Sequence, residues 1–280
     1  MHVGLYGRST DDAMAALAQG VSAAGHQVTF RRVEVFKPDQ VEDFDLVVVT
    51  GIGTSLTEAP RLCQRTYHDR GTPTLVYDLG HVRRKEYHRL GVNRLYAIPL
   101  APLPRDRFDL LGFDSIRPLG DQVLICQDLP LGLPQNQSAS LHAQWGWEVY
   151  GKLKNVTDRT IRYRPHPFTV SRGSLPGDEV SNARDEPMQE ALRQAAVVIT
   201  RWGGSGTDAI LHGVPVVCDP EAFYAEYAET DLSMVDDPML LPEAKRVEFG
   251  SRLAYTQWTL TELSERQNAE IILQQALVAA

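Results

Sequence analysis

The sequence predicts an α/β protein of two doubly wound halves. Three observations predict it. Short β-rich runs alternate with amphipathic helical runs, the alternation breaks in a proline-bearing stretch over residues 97–120, and it then starts again. Several of the β-rich runs, such as residues 45–50 (DLVVVT), are almost continuously apolar, as buried strands of a parallel sheet are.

Residues 2–6 (HVGLY) read as the first strand, followed by a turn over 7–10. Residues 11–24 read as a helix, because Asp11 and Asp12 suit its positive N-terminus and Ala13, Leu17 and Val21 share a face. Strands follow at 27–33 and 45–50, a helix at 59–69 and a strand at 74–78. The basic run Arg83, Arg84, Lys85, with Arg89 and Arg94 beyond it, fits a solvated helix face or a rim that steers an anionic acceptor such as DNA. Pro99, Pro102, Pro104 and Pro118 mark the linker. The second half then offers a strand at 122–127, a loop at 128–138, a helix at 140–153 and a strand at 160–164. Further on come a helix at 187–195, a strand at 197–200, a glycine-rich loop, a helix from Thr207 closed by Gly213, and a strand at 214–218. Residues 244–279 are mainly helical, with breaks near Gly250 and Thr259. The expected domains are 1–115, 116–250 and a closing helical segment, 251–280.

Composition narrows the function. With 280 residues, 43% hydrophobic and 23% charged, the chain can bury one large core or two small ones. A net charge of −8 argues against binding through a broad basic surface. Cys63, Cys126 and Cys218 are sparse, odd in number and set in apolar runs, which suits core thiols rather than disulfides or a zinc knuckle. No stretch approaches the ~20 apolar residues of a membrane span, and the expected location is the cytoplasm.

Residues 197–220 (VVITRWGGSGTDAILHGVPVVCDP) carry the densest chemistry. Gly203, Gly204 and Gly206 let the backbone turn tightly and approach a ligand. A helix start offers N–H groups and a positive dipole end to an anion, and Ser205 and Thr207 add hydroxyls. Asp208 can accept from ribose hydroxyls, Arg201 can pair with phosphate, and Trp202 can stack on a base or sugar. The same loop also fits a plain turn with Ser205 or Thr207 as a cap. It has neither the Walker spacing nor the dinucleotide fingerprint. A second feature is Arg162-Tyr163-Arg164-Pro165-His166-Pro167, where two prolines stiffen the chain around His166. Arg164 and His166 can grip a diphosphate there, although a surface turn fits too.

Taken together, strand–RPHP and then strand–GGSG–helix–GVPVV resemble the C-terminal domain of GT-B glycosyltransferases and their relatives. In HP-motif sialyltransferases and teichoic- or capsule-type transferases the histidine matching His166 binds donor phosphate. In the sugar-nucleotide epimerase relatives, glycines matching Gly203 and Gly204 precede the helix. An acidic residue five positions before the helix-ending glycine binds ribose, here Asp208 rather than Glu. The segment Leu253-Ala254-Tyr255-Thr256-Gln257-Trp258-Thr259-Leu260 resembles phage-encoded glycosyltransferase-like proteins, whose C-terminal helix crosses back to the N-terminal domain. The resemblance implies a GT-B-like architecture, two Rossmann-like domains with a cleft between them. It also implies a UDP- or CDP/CMP-sugar donor with no obligatory metal, and no Asp-x-Asp metal motif stands out. The acceptor it implies is a hydroxymethylated base in phage DNA, or a polysaccharide or surface glycan.

The remaining site candidates follow from that architecture. Gln127, Gln135, Asn136, Gln137 and Ser138 lie on the loop expected to face the donor. Loops after strands in the first half carry Gly7, Arg8 and Ser9, then Gly51, Gly53 and Thr54, then Asp78, Gly80 and His81. Asp78, then His81, is the candidate base for the acceptor hydroxyl. His142 and His212 read as structural, and Trp145, Trp147, Tyr150 and Tyr255 as packing. A nucleotide-sugar epimerase or hydrolase, and a non-catalytic nucleotide-binding module, remain as alternatives.

Overall fold

Val47 and Val49 point to one face of a sheet, Leu46 and Val48 to the other, and helices cover both faces. That is why this run carries no polar alternation. The computed structural model describes residues 1–8, 11–51, 58–84, 86–94, 96–99, 102–128, 139–167, 175–181 and 184–278.

In chain order the first elements are β1 (His2–Gly7), α1 (Asp12–Ala23), β2 (Gln27–Arg32), β3 (Leu46–Thr50), α2 (Ala59–Asp69), β4 (Thr74–Leu79) and β5 (Tyr87–Val92). Then come α3 (Asp106–Leu111), β6 (Gln122–Cys126), α4 (Ala139–Leu153), β7 (Ile161–Arg164), β8 (Glu179–Val180), α5 (Met188–Gln194) and β9 (Ala195–Ile199). The chain closes with α6 (Gly204–Leu211), β10 (Val216–Val217), α7 (Glu243–Ala254), β11 (Gln257–Thr259), α8 (Leu260–Ser264) and α9 (Arg266–Val278).

These elements form two compact units, Met1–Leu103 with Arg252–Ala280, and Pro104–Ser251. The first holds a six-stranded sheet of order β11-β5-β4-β3-β1-β2, the second a five-stranded sheet of order β10-β9-β6-β7-β8. In the first, Val3, Leu5, Leu46, Val48 and Leu75 pack under α1, α9 and Trp258, while Tyr6, Val47 and Val49 pack with Cys63 and Tyr67 of α2. In the second, Val123, Ile125, Val197 and Ile199 pack with Val149 and Leu153 of α4.

The structure corrects several expectations. Residues 87–92 form a strand, antiparallel to β4, so Arg89 lies within a sheet and not on a helix face. Residues 257–259 are also a strand, antiparallel to β5. The break expected near Thr259 is real, and a capping box restarts the helix there: Glu262 N–H donates to Thr259 Oγ1 at 3.2 Å and Thr259 N–H to Glu262 Oε2 at 2.7 Å. Gly250, expected to break a helix, lies inside α7. Residues 104–115, placed by sequence with the first half, belong to the second unit. Trp147, expected to pack, is 46% exposed, whereas Trp145 and Tyr150 lie against the second core. The three cysteines are buried and free. Among the described residues no helix is long and apolar enough to cross a membrane.

Trp258 is fully buried against the first sheet. Trp258→Ala is therefore expected to destabilise the protein by about 3–5 kcal/mol in urea denaturation. An unchanged midpoint would mean that the C-terminal segment is not part of this core.

Candidate functional site

Ligands of open α/β sheets bind outside the carboxyl ends of the strands, where the strand order reverses. In the second sheet the chain steps outward from β6 to β7 and β8, then returns to β9 on the other side of β6. The crevice is thus at the ends of β6 and β9, and Asp128 lies across it.

Asp128 is 6% exposed. Its Oδ1 accepts from the Thr200 hydroxyl at 3.1 Å, and its Oδ2 from the N–H groups of Arg201 at 3.1 Å and Trp202 at 3.0 Å. The Gly203 N–H donates to the same carboxylate. Burial pushes this carboxyl above its ordinary value, and the four hydrogen bonds oppose that shift. The contact requires glycine at 203, because a Cβ there would overlap Asp128 Oδ1. Tyr224, fully buried, donates its hydroxyl to Gly203 O at 3.0 Å, and its ring occupies the place of a Cβ on Gly206. Gly203 and Gly206 therefore admit protein groups, where the sequence suggested room for a ligand.

Helix α6 starts at Gly204, three residues before the expected Thr207. The Gly206 N–H closes on Gly203 O at 3.1 Å. Those of Gly204 and Ser205 have no acceptor in the helix, as first-turn donors do not. The Ser205 hydroxyl donates to Thr200 Oγ1 at 3.1 Å. Thr207 is 0% exposed with its hydroxyl enclosed, so it is not presented by the loop as expected.

The arginines expected to grip phosphate are already engaged. Arg201 pairs with Asp219 at 2.8 Å and lies 4.1 Å over the Trp202 ring. Arg162 pairs with Glu186 at 3.0 Å. Arg164 bonds the same carboxylate at 3.3 Å, the Glu186 carbonyl at 2.7 Å and the Ser181 hydroxyl at 2.8 Å. His166 lies half-buried just past β7, and Asp208 half-buried on α6. Gln127 directly follows β6, and its side-chain oxygen accepts from the Tyr163 hydroxyl at 2.6 Å. Gln127, Arg164, His166 and residues 201–208 thus gather at the carboxyl end of one parallel sheet. Gln135, Asn136, Gln137 and Ser138 lie outside the described residues, as do Ser9, Gly53, Thr54 and Lys85 and the side chain of His142. Burial pushes the Cys126 and Cys218 thiols up to about 12, so neither is a thiolate nucleophile at neutral pH. His212 is buried, with Nδ1 3.0 Å from Asp114 O, a structural contact. Among the described residues no group of three His, Cys, Asp or Glu could hold a metal.

In the first unit, Asp78 and His81 do come together, around a residue that the sequence reading had put on a solvated helix face or a rim. Arg89 reaches Asp78 Oδ2 at 3.1 Å and His81 Nδ1 at 3.3 Å, with Tyr96 4.4 Å beneath its guanidinium. Gln257 Oε1 accepts the His81 N–H at 3.0 Å. His81 is 5% exposed, and burial, then Arg89 and Arg84, hold its imidazole well below the usual range. Asp128, Glu186, Asp219 and Tyr224 were also missed. Their partners are far away in sequence, and only the placement of Asp128 right after a strand hinted at a role.

Solved structures that share this fold include two transferases. One is Thermosulfurimonas dismutans KpsC, beta Kdo 2,4 transferase, with TM-score 0.56, 14% identity and 90% of each chain covered. The other is Thermosulfurimonas dismutans KpsC, beta Kdo 2,7 transferase, with TM-score 0.54, 15% identity and 100% of each chain covered. The mixed α/β fold with parallel sheets is therefore that of GT-B glycosyltransferase structures. No protein-family model matches the sequence, and no curated protein does.

His81 generates a pH prediction. Unfolded, it takes up a proton near pH ~6.5; folded, it does so only at lower pH. Its contribution is therefore present above that value and lost as pH falls, by up to about 1.4 kcal/mol per pH unit. His81→Asn, which keeps an acceptor for Arg89, should flatten that part of the slope in urea titrations between about pH 7 and about pH 5. An identical slope in the variant would place the imidazole in water.

Proposed function

We propose that the chain is a glycosyltransferase that binds a nucleotide-sugar donor on its second unit and moves the sugar to a hydroxyl of a glycan. The observation that carries this reading is the start of α6 at the β6/β9 crevice. Asp128 has taken the N–H groups of Arg201, Trp202 and Gly203, which leaves those of Gly204 and Ser205 for a phosphate. His166 adds a ring N–H to the same phosphate. Arg164 and Arg201, already matched by Glu186 and Asp219, act by their position around it. Asp208 accepts from the ribose, Trp202, stiffened by Arg201, stacks on base or sugar, and Gln127 and Gln137 supply polar contacts. UDP- and CDP/CMP-sugars both fit this chemistry, and no step in it needs a metal.

Two observations support a glycan acceptor over a base in DNA. The chain carries a net charge of −8, and Arg89, once counted in the basic run, is buried against Asp78. The two similar structures, both Kdo transferases, point the same way. Of the acceptor-side candidates, Asp78 and His81 would have to release Arg89 before either could take a proton.

A thermal-shift panel of UDP, CDP, CMP, GDP and ADP tests the donor site. One base is expected to raise the melting temperature, with a stabilisation of about 2.7 kcal/mol at a hundredfold excess over Kd. His166→Ala and Asp208→Ala should each weaken that binding by roughly tenfold, about 1.4 kcal/mol. No shift with any nucleotide would sink the reading.

A further inference from the structure

Helix α4 turns Val149 and Leu153 to the second core, with Trp145 and Tyr150 packed partly against it. Two other residues of the helix do not serve that packing. Trp147 is 46% exposed. One exposed apolar side chain is ordinary on a protein surface. The glycine near it is not. Gly151 lies within the helix, is exposed, and would meet nothing within 4 Å if it carried a Cβ. It does not take the left-handed conformation that calls for glycine. Glycine inside a helix costs stability relative to every residue but proline, and here neither packing nor backbone requires it. Gly146, earlier in the same helix, does have a packing reason, because a Cβ there would meet the Tyr163 ring at 2.9 Å.

Its spacing from Trp147 supplies a reason. Gly151 comes four residues after Trp147, on the same face of the helix. A helical side chain leans toward the N-terminus, over the turn before its own Cα. A side chain at 151 would therefore lie over the indole, and glycine keeps that ring uncovered. Fixed polar groups stand beside it. The Trp147 and Tyr150 rings meet edge to face, 6.1 Å between centroids. The Tyr150 hydroxyl donates to Asp178 Oδ1 at 2.9 Å, and Lys154 Nζ donates to the same oxygen at 3.3 Å. The Ile161 N–H donates to Asp178 Oδ2 at 2.9 Å. A carboxylate offers about four acceptor positions, so these three donors leave room for one more.

Size and chemistry select the occupant. The exposed part of one indole is roughly 100 Å², far below the about 800 Å² that each partner buries in a stable protein interface. The helix positions beside the ring, Gln144, Glu148 and Gly151, add no apolar side chain. A flat apolar ring bordered by a carboxylate and an ammonium matches a pyranose, which has an apolar face of C–H groups and a rim of hydroxyls that donate and accept. A nucleobase stacks on an indole too, but it brings phosphates, and Lys154 is already paired with Asp178. We propose that Trp147, kept uncovered by Gly151, is a sugar-binding platform of the second unit. It holds one pyranose ring of a glycan against the indole while hydroxyls of that ring bond Asp178 and Lys154. None of these residues takes part in the donor reading, so the platform stands or falls independently of it.

Indole N–H signals of the full chain, followed by NMR, test the platform in titrations with cellohexaose, chitohexaose and an oligogalacturonate, and with UDP as the nucleotide control. The Trp147 signal is the one missing from Trp147→Ala. At least one of the oligosaccharides is expected to move it saturably, with a Kd in the millimolar range, and saturation transfer to that sugar should be lost in Trp147→Ala. Gly151→Leu should weaken the same binding at least roughly tenfold. It should also raise the melting temperature by about 2–4 °C, because leucine is the better helix former. Tighter folding with poorer sugar binding is an outcome that a purely structural glycine would not give. The proposal is overturned if no oligosaccharide moves the Trp147 signal, if sugar binding survives Trp147→Ala, or if Gly151→Leu binds as well as wild type. A response to UDP at least as strong as to the sugars also overturns it, and would make the ring a nucleobase platform.

Discussion

A buried carboxylate must find donors or be neutralised, because no water is there to solvate it. Asp128 meets that constraint with the Thr200 hydroxyl and three successive backbone N–H groups, and much of the second unit follows from the arrangement. It joins the end of β6 to the end of β9, strands that are neighbours in the sheet but distant in the chain. It fixes the path of residues 200–203 and hence the point where α6 begins. It excludes any side chain at position 203, and Tyr224 does the same at 206. The glycine-rich loop is thus shaped from inside the protein, before any ligand arrives.

The first unit uses a related device with a different degree of enclosure. Asp11 accepts from Thr50 across β1 and β3 much as Asp128 accepts from Thr200 across β6 and β9. Asp128 is sealed, with its donors all supplied by the backbone and one hydroxyl. Asp11 is half-open and sits beside two titratable rings. The sealed carboxylate holds the loop after β9, whereas Asp11 ties the end of β3 to the start of α1. Charge is distributed with similar economy. Arg89 is matched by Asp78, Arg201 by Asp219, and Arg162 and Arg164 by Glu186. The arginines next to the glycine-rich loop and after β7 are thus neutralised by carboxylates of their own unit.

Legibility in the sequence followed burial. Runs such as LVVVT and VLIC are strands because both sheet faces are covered, and they read as continuous apolar stretches. Residues 59–69 matched helix α2 residue for residue, with Pro60 in its first turn. The strand YHRLGV was hidden, because its arginine and its histidine find partners within the unit and so mimic a polar surface run. The two-residue β8 is exposed along its length and leaves almost no pattern. QWT escaped notice because three residues between helices carry too little periodicity to identify a strand.

The sequence by itself determined the α/β class and the order of most elements, and it put RPHP and GGSG directly after strands of the second half, where they lie at the end of β7 and the start of α6. These rest on local patterning and on residues close together in the chain. Only the tertiary structure decided what each charged group faces. Arg162 and Arg164 turn to Glu186, Arg201 to Asp219, Asp78 and His81 to Arg89, and Asp128 to the loop after β9. Pairing of this kind depends on which strands become neighbours. In a sheet with crossover connections that order is set by packing across the whole unit, so the residues that meet leave no mark on each other's surroundings in the chain.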